Sequence, residues 1–145
     1  MTDAARAVLW DLDGTLIDSA EYHWLAWREI LAGEGFDLTR EQFASSFGQR
    51  NDTVLRGHFG PEFPVNEIAR IGDAKEARYR ELIQAGGIEL LPGARRWLAV
   101  LAEAGWRQAV ASSAPRLNIE AILAALGIET LLASVVAAED VRHGK

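Results

Sequence analysis

Two aspartates one residue apart, Asp11 and Asp13, are the side chains of this sequence best placed to do chemistry. They follow an apolar run, Ala7–Trp10, which is typical of a short buried strand. In an extended backbone residues i and i+2 point the same way, so both carboxylates would leave the strand end together. Such neighbours repel each other unless a cation lies between them or one of them holds a proton. The pattern therefore suits either a hard cation such as Mg²⁺ or a nucleophile beside an acid/base.

The residue that follows the aspartates is Gly14, which permits a backbone turn that a side chain would hinder. In an open parallel sheet, ligands bind at the carboxyl ends of the strands, which is where this turn would lie. For a bare Asp-x-Asp an aspartate-rich turn and helix start is the alternative interpretation.

The elements around this turn alternate between strand and helix. Four predicted helices span about residues 20–85, the first with Asp18 and Glu21 as a loose capping box and the second with Thr39 and Gln42 as another. Residues 107–111 and 134–138 are apolar strands, and a helix precedes each of them. Strand, helical insertion, helix, strand, helix, strand is an α/β pattern.

Length, composition and net charge limit the classes to which this protein can belong. The 145 residues suit one domain, or a small core with a modest insertion, and 49% hydrophobic with 25% charged residues is typical of a globular chain. A net charge of -6 gives no electrostatic reason to bind nucleic acid or an anionic membrane. With no cysteine there is neither a disulfide framework nor a thiolate site. The sequence has no signal-peptide pattern and no apolar run of membrane-spanning length, so we expect a cytoplasmic protein.

The string DLDGTLIDS resembles the first motif of the haloacid dehalogenase-like superfamily, most of whose members are Mg²⁺-dependent phosphotransferases. The resemblance implies that Asp11 is the nucleophile that attacks phosphorus and that Asp13 is the acid/base. It also implies that the Asp11 carboxylate and the Asp13 backbone carbonyl bind Mg²⁺. The second aspartate argues against a dehalogenase. The order of elements is similar to the superfamily plan, with a Rossmann-like core at 1–17 and 91–145 and an all-helical cap at 18–90.

Two further motifs are similar to those of the superfamily. Ser112 ends the second core strand in ASSAP, and Lys145 ends a stretch like the approach to the lysine motif. The resemblance implies that Ser112 binds phosphate and that the Lys145 ammonium pairs with Asp11 and phosphate; we group Gly14 and Ser113 with them as phosphate-binding residues. The alternative for Ser112 is that it or Ser113 only caps the helix beginning at Pro115, and with Ser112 on phosphate the capping role passes to Ser113. The alternative for Lys145 is a solvated side chain.

The cap resembles that of β-phosphoglucomutase-like members, in which a His, an Arg and a Lys face the active site. The matching positions are His23, Arg50 and Lys75. Lys75 falls within an apolar stripe of the fourth helix, Ile68, Ile71, Tyr79 and Leu82. We expect it to extend its ammonium along its stem to solvent, with a polar cavity as the alternative. His23 and Arg50 have ordinary surface roles as alternatives.

Several other residues are expected to be structural. Trp24, Trp27 and Trp97 have the spacing of helical core residues, and Trp10 lies in the first strand, so core packing is expected for all four. His58 and His143 are interpreted as surface residues. Glu139 and Asp140 are interpreted as a solvated loop rather than as a metal pair.

The expected function is Mg²⁺-dependent phosphoryl transfer from a small phosphorylated metabolite, such as a sugar phosphate, by a phosphatase. A β-phosphoglucomutase is the alternative. The superfamily's fourth motif, an acidic pair that completes the Mg²⁺ ligands on a strand beside the first strand, is absent from these 145 residues. We therefore expect a shortened form of a longer enzyme, whose open sheet edge favours self-association. A catalytically inactive fragment is the second alternative.

Overall fold

The computed structural model describes residues 5–144 and divides the chain into two compact units. Residues 5–18 and 88–143 form the first, the α/β unit, and residues 19–87 with Gly144 form the second, the helical unit. Within the described residues, no helix combines the length and the apolar character that crossing a membrane would require.

The α/β unit contains three strands, two helices and two short 3-10 turns. In chain order they are β1 (Ala7–Trp10), α5 (Ala94–Glu103), β2 (Arg107–Ala111), α6 (Arg116–Leu126), a turn at Glu129–Leu131, β3 (Ser134–Val136) and a turn at Ala138–Asp140. The helical unit contains α1 (Ala20–Gly33), α2 (Arg40–Ser46), α3 (Asn51–Phe59) and α4 (Val65–Gly86), and no strand among its described residues. The predicted order of strands and helices is therefore confirmed.

The sheet is parallel, in the order β1-β2-β3. Leu9 lies opposite Ala109, and Val110 lies opposite Val135, so the carboxyl ends of all three strands meet at one edge. In the described part of the chain β1 has a neighbour on one side only. The expectation that β1 is buried is wrong: Leu9 is 68% exposed, because nothing described covers its side of this edge strand.

A buried glutamine ties the sheet to α5. Gln108 accepts a hydrogen bond from the Trp10 indole Nε1 at 2.9 Å and donates one to the Leu98 carbonyl at 2.8 Å. The predicted core position of Trp97 is wrong, since the side chain is 58% exposed. The buried side of α5 runs through Ala94 and Leu98, and Trp97 lies about 100° round the helix from Leu98.

The helical unit packs α4 against α1 and α3 around an apolar core. Trp24 and Trp27 are each 5% exposed within it, so their predicted core positions are confirmed. The remaining buried members of this core are Leu31, Leu38, Phe43, Val54, Leu55, Ile68 and Ile71.

Of the two predicted capping boxes, one forms. Thr39 and Gln42 cap α2 reciprocally, as predicted. The box at Asp18 and Glu21 is wrong: α1 begins after Ser19, which makes no side-chain capping bond, and Glu21 instead pairs with Arg40 at 2.6 Å.

Candidate functional site

The turn after β1 holds the two aspartates in a defined backbone frame. The Leu12 carbonyl accepts hydrogen bonds from the N–H groups of Thr15, Leu16 and Ile17, at 3.2, 2.9 and 3.2 Å. Gly14 has a φ of 76°, a left-handed conformation that favours glycine, and its N–H donates to the Ile17 carbonyl at 2.9 Å. Leu12, Leu16 and Ile17 are fully buried and anchor the turn.

Both aspartate side chains leave this turn partly exposed. The Leu12 N–H donates to Asp11 Oδ1 at 2.9 Å, which orients that carboxylate. The Ser112 hydroxyl lies 3.5 Å from Asp13 Oδ2, a long contact at which it donates. Asp13 and Ser112 come together because β1 and β2 are parallel neighbours whose carboxyl ends coincide.

Ser112 is 8% exposed and also accepts a hydrogen bond from the Ala114 N–H at 3.1 Å. The hydroxyl is thus fixed between a donor N–H and the Asp13 carboxylate. The Ala114 N–H is a contributor that the sequence did not indicate, since backbone donors carry no side-chain signal.

The predicted helix-capping role of Ser113 is wrong. α6 begins at Arg116 after an extended Pro115, with no side-chain capping bond from the preceding residues. The Glu139 carboxylate accepts instead from the Arg116 N–H, at 3.1 and 3.0 Å. Asp140 pairs with the Arg116 side chain and accepts from the Ala137 N–H at 2.7 Å. Glu139 and Asp140 are exposed, but they form an ordered turn that holds α6 rather than the solvated loop expected.

Mg²⁺ binds oxygen ligands and usually keeps several waters. In proteins it is typically held by one or two carboxylates together with phosphate oxygens of the substrate. The Asp11 carboxylate supplies one such oxygen, and the Asp13 backbone carbonyl adds a second oxygen donor. Among the described residues no group of three or more His, Cys, Asp or Glu side chains could hold a metal by itself. The donors therefore fit Mg²⁺ that is held together with substrate oxygens. Lys145, the predicted partner of Asp11, lies outside the described residues.

In the helical unit, Lys75 is 2% exposed, so the expectation that its ammonium extends to solvent is wrong. Its Nζ lies 2.9 Å from His23 Nδ1 and 2.8 Å from Glu76 Oε1. The ammonium also lies over two aromatic rings, 5.2 Å from the Trp27 centroid and 5.3 Å from the Tyr79 centroid. These polar and aromatic partners make a buried position tolerable for the charge.

His23 and Arg50 have different surroundings. His23 is 8% exposed and stacks on Tyr79, with centroids 4.0 Å apart and an interplanar angle of 12°, so it is no ordinary surface histidine. Arg50 precedes α3, is partly exposed, and its Nε lies 3.2 Å from Asp52 Oδ1. Of the three predicted cap residues, the structure therefore joins His23 and Lys75 by a direct contact.

Sequence reasoning missed Glu76, which binds Lys75, and Asn51, which binds Glu76. Glu76 is 5% exposed, and its Oε1 accepts from both Lys75 Nζ and Asn51 Nδ2, each at 2.8 Å. Burial by itself raises the pKa of Glu76, but the Lys75 ammonium and the Asn51 amide outweigh burial and lower that pKa below its ordinary value of 4.5. A signal existed: positions 72, 75, 76 and 79 share one side of a helix, so Glu76 belongs to the same stripe as Lys75.

His58, expected to be a surface residue, is only partly exposed. Its ring packs 4.9 Å from the Phe36 centroid, and within the described residues its Nε2 is buried without a hydrogen-bond partner. Burial lowers the pKa of His58 below 6.5. His143 is exposed, as expected.

Comparisons with known proteins agree on the family. Protein CbbY of Cereibacter sphaeroides is 36% identical over 124 residues, which cover 81% of this chain and 54% of that protein. Protein CbbY of Rhodobacter capsulatus is 31% identical over 126 residues, 83% of this chain and 56% of that protein. The chain thus spans little more than half the length of these curated relatives.

Solved structures are similar along nearly the whole chain. A β-phosphoglucomutase from Clostridium difficile has a TM-score of 0.84 at 26% identity, covering 97% of this chain and 65% of that one. CbbY from Rhodobacter sphaeroides in complex with phosphate has a TM-score of 0.79 at 28% identity, covering 97% of this chain and 67% of that one. These likenesses confirm the predicted α/β fold, a Rossmann-like core with a helical insertion. A model of the haloacid dehalogenase-like hydrolases matches residues 5–145, and the chain belongs to that family.

Proposed function

We propose that this chain carries the nucleophilic site of a Mg²⁺-dependent phosphatase that acts on a small phosphorylated metabolite, most suitably a sugar phosphate. The observation that carries the proposal is the convergence of Asp11, Asp13 and Ser112 at the carboxyl ends of β1 and β2 in a chain of this family. Both CbbY and phosphoglycolate phosphatase are among its relatives.

In the proposed reaction a carboxylate oxygen of Asp11 attacks phosphorus, and the bond from phosphorus to the ester oxygen breaks. The Asp13 carboxyl gives its proton to the leaving oxygen, so a neutral alcohol departs and an aspartyl-phosphate remains. Asp13, now a carboxylate, takes a proton from water as the water attacks phosphorus. Inorganic phosphate leaves, and Asp11 and Asp13 return to their starting states.

The other groups of the site would bind and orient the phosphate. The Ser112 hydroxyl and a backbone N–H group of the turn after β2 would donate to its oxygens, with Lys145 supplying a positive charge. When bound, Mg²⁺ would supply a charge that offsets the negative oxygens of substrate and nucleophile. Asp11 through its carboxylate and Asp13 through its backbone carbonyl would hold the cation.

The helical unit would act as the cap that selects substrate and excludes water, with His23, Arg50 and Lys75 as its polar contacts. A β-phosphoglucomutase is the second candidate: these three residues match cap positions that face the active site in β-phosphoglucomutase-like members, and the Clostridium difficile structure of that name shares the fold at 26% identity. Products formed from glucose 1-phosphate separate the two candidates: free phosphate from a phosphatase, glucose 6-phosphate from a mutase.

The first test measures phosphate release from an aryl phosphate by the 145-residue chain with Mg²⁺ and with chelator. Asp11→Asn removes the nucleophile, and Asp73→Asn, an exposed position on α4, is the matched control. We expect Mg²⁺-dependent turnover in the wild type and the control, and a loss of at least about 10³-fold in Asp11→Asn. Equal rates in wild type and Asp11→Asn would refute the assignment of the nucleophile. No turnover in any of the three would mark the chain as an inactive piece of its family.

A further inference from the structure

A buried network of four polar side chains joins three helices of the helical unit. We call it the Lys75 network: His23 on α1, Asn51 at the start of α3, and Lys75 with Glu76 on α4. Its three contacts measure 2.8–2.9 Å. Lys75 and Glu76 are 2% and 5% exposed, so both charges are held away from water.

The contact between Lys75 and His23 fixes where the imidazole proton lies. An ammonium group donates and has no acceptor, so at 2.9 Å from Lys75 Nζ the His23 Nδ1 must accept. A neutral imidazole that accepts at Nδ1 carries its proton on Nε2. Stacking on Tyr79 at 4.0 Å holds the plane of the ring. His23 is thereby a preset Nε2–H donor.

His23 Nδ1 accepts this hydrogen bond only while Lys75 keeps its positive charge. A buried ammonium without a counter-charge is strongly disfavoured relative to the neutral amine. The Glu76 carboxylate supplies that counter-charge at 2.8 Å, and the Asn51 amide donates to the same oxygen and keeps it in place. Glu76 and Asn51 therefore govern the donor properties of two other side chains.

We propose that Glu76, held by Asn51, is a positioning residue that keeps Lys75 charged and His23 in its Nε2–H form, so that His23 offers substrate a preset hydrogen-bond donor with the buried Lys75 ammonium behind it. The ligand class is a phosphorylated sugar, whose hydroxyl and phosphate oxygens accept such hydrogen bonds. This inference rests on the proposed function, in which His23 and Lys75 contact substrate.

¹⁵N NMR of the imidazole groups in the 145-residue chain shows which nitrogen of His23 carries the proton, and this measurement needs no catalysis. In the wild type we expect His23 Nδ1 to be unprotonated and Nε2 protonated at neutral pH. Glu76→Gln keeps the shape and an oxygen acceptor but removes the counter-charge, so protonated Nδ1 should appear. Glu81→Gln is the control, because Glu81 lies on the same helix, is 65% exposed in its side chain and pairs with Arg78.

Kinetic constants for two substrates test whether the network affects substrate recognition. Glu76→Gln should raise KM for glucose 1-phosphate about tenfold, the loss expected for one hydrogen bond to a charged group. It should leave kcat for an aryl phosphate, which lacks the sugar hydroxyls, unchanged, and Glu81→Gln should change neither constant. A residue with a merely structural role would lower activity toward both substrates together.

The outcomes separate the inference from the function on which it rests. A protonated Nδ1 in the wild type, or an unchanged His23 spectrum in Glu76→Gln, would overturn the inference even in an active enzyme. Equal effects on both substrates would also overturn it. A wild type that turns over neither substrate would count against the proposed function and against any role in recognition, while NMR would still decide the protonation of His23.

Discussion

The free energy of unfolding should reveal how strongly Lys75 and Glu76 depend on each other. Lys75→Met keeps most of the side-chain length between the Trp27 and Tyr79 rings but removes the ammonium. The Glu76 carboxylate, 6% exposed in its side chain, then loses its counter-charge and keeps the Asn51 donor. Removing one partner of a buried ion pair costs about 3–5 kcal/mol, so we expect a loss in this range.

The reverse substitution and the double variant complete a cycle. Glu76→Gln removes the counter-charge of the buried Lys75 side chain, and we expect a cost of about 3 kcal/mol. The double variant Lys75→Met/Glu76→Gln buries no charge, and its glutamine oxygen still accepts from Asn51. Because neutral replacements of a buried pair are often tolerated, it should lie within about 1 kcal/mol of the wild type. The implied coupling energy between the two side chains, the sum of the two single costs less the cost of the double variant, is about 5 kcal/mol or more.

The cycle also has a pH signature. The pKa of Glu76 lies below its ordinary 4.5 in the folded chain, so the stability it contributes is present above pH 4.5 and is lost as pH falls through the lowered pKa. In Lys75→Met burial acts without the ammonium and raises the pKa of Glu76 instead. Protonation then relieves the buried charge, so the penalty of Lys75→Met should shrink as pH falls from 7 toward 5.

Urea unfolding at 25 °C, followed by tryptophan fluorescence and far-UV circular dichroism, measures each corner of the cycle. Trp27 lies beside the network and reports its loss. If the two single substitutions add in the double variant, the charges do not depend on each other and the reasoning fails. A cost below about 1 kcal/mol for Lys75→Met at pH 7 would refute it as well.

Two other substitutions test separate features. His58→Phe removes a buried nitrogen without a partner among the described residues, so it should add about 1 kcal/mol of stability by urea unfolding. It should also remove a loss of stability that begins as pH falls through 6.5, since the pKa of His58 is lowered in the folded chain; an unchanged pH profile would contradict this. Leu9→Lys places a charge on the exposed side of an edge strand and should weaken self-association in sedimentation velocity. A wild type that sediments only as a 15.9 kDa monomer would contradict that prediction.

The arrangement of side chains at the end of β1 was predictable because it is local. Asp11, Asp13 and Gly14 follow one another, and the geometry of a strand that ends in a glycine turn leaves little freedom. The meeting of Ser112 with Asp13, 99 positions away, follows from one further rule, that neighbouring parallel strands end at the same edge. Short patterns joined by a topological rule therefore predicted much of this arrangement.

The surroundings of Lys75 were not predictable in the same way. Its place on an apolar stripe left two outcomes, and the usual one was wrong because His23 and Glu76 offer acceptors inside the helical unit. The choice depends on three helices packing in register, which no single helix encodes. The exposure of Trp97 has a similar cause, since a tryptophan at the margin of a helix face is buried or exposed according to what packs beside it.

Energetics argue that the Lys75 network is there for recognition rather than for stability. An apolar pair of similar size would fill the same space between Trp27 and Tyr79 at equal or lower free energy, because desolvation offsets most of the attraction within a buried ion pair. If the double variant is as stable as the wild type, the charges add nothing to folding that neutral side chains do not supply. A simultaneous tenfold rise in its KM for glucose 1-phosphate, with kcat for an aryl phosphate retained, would then assign the network to substrate selection. An unchanged KM would leave the ion pair without a role in stability or in substrate selection.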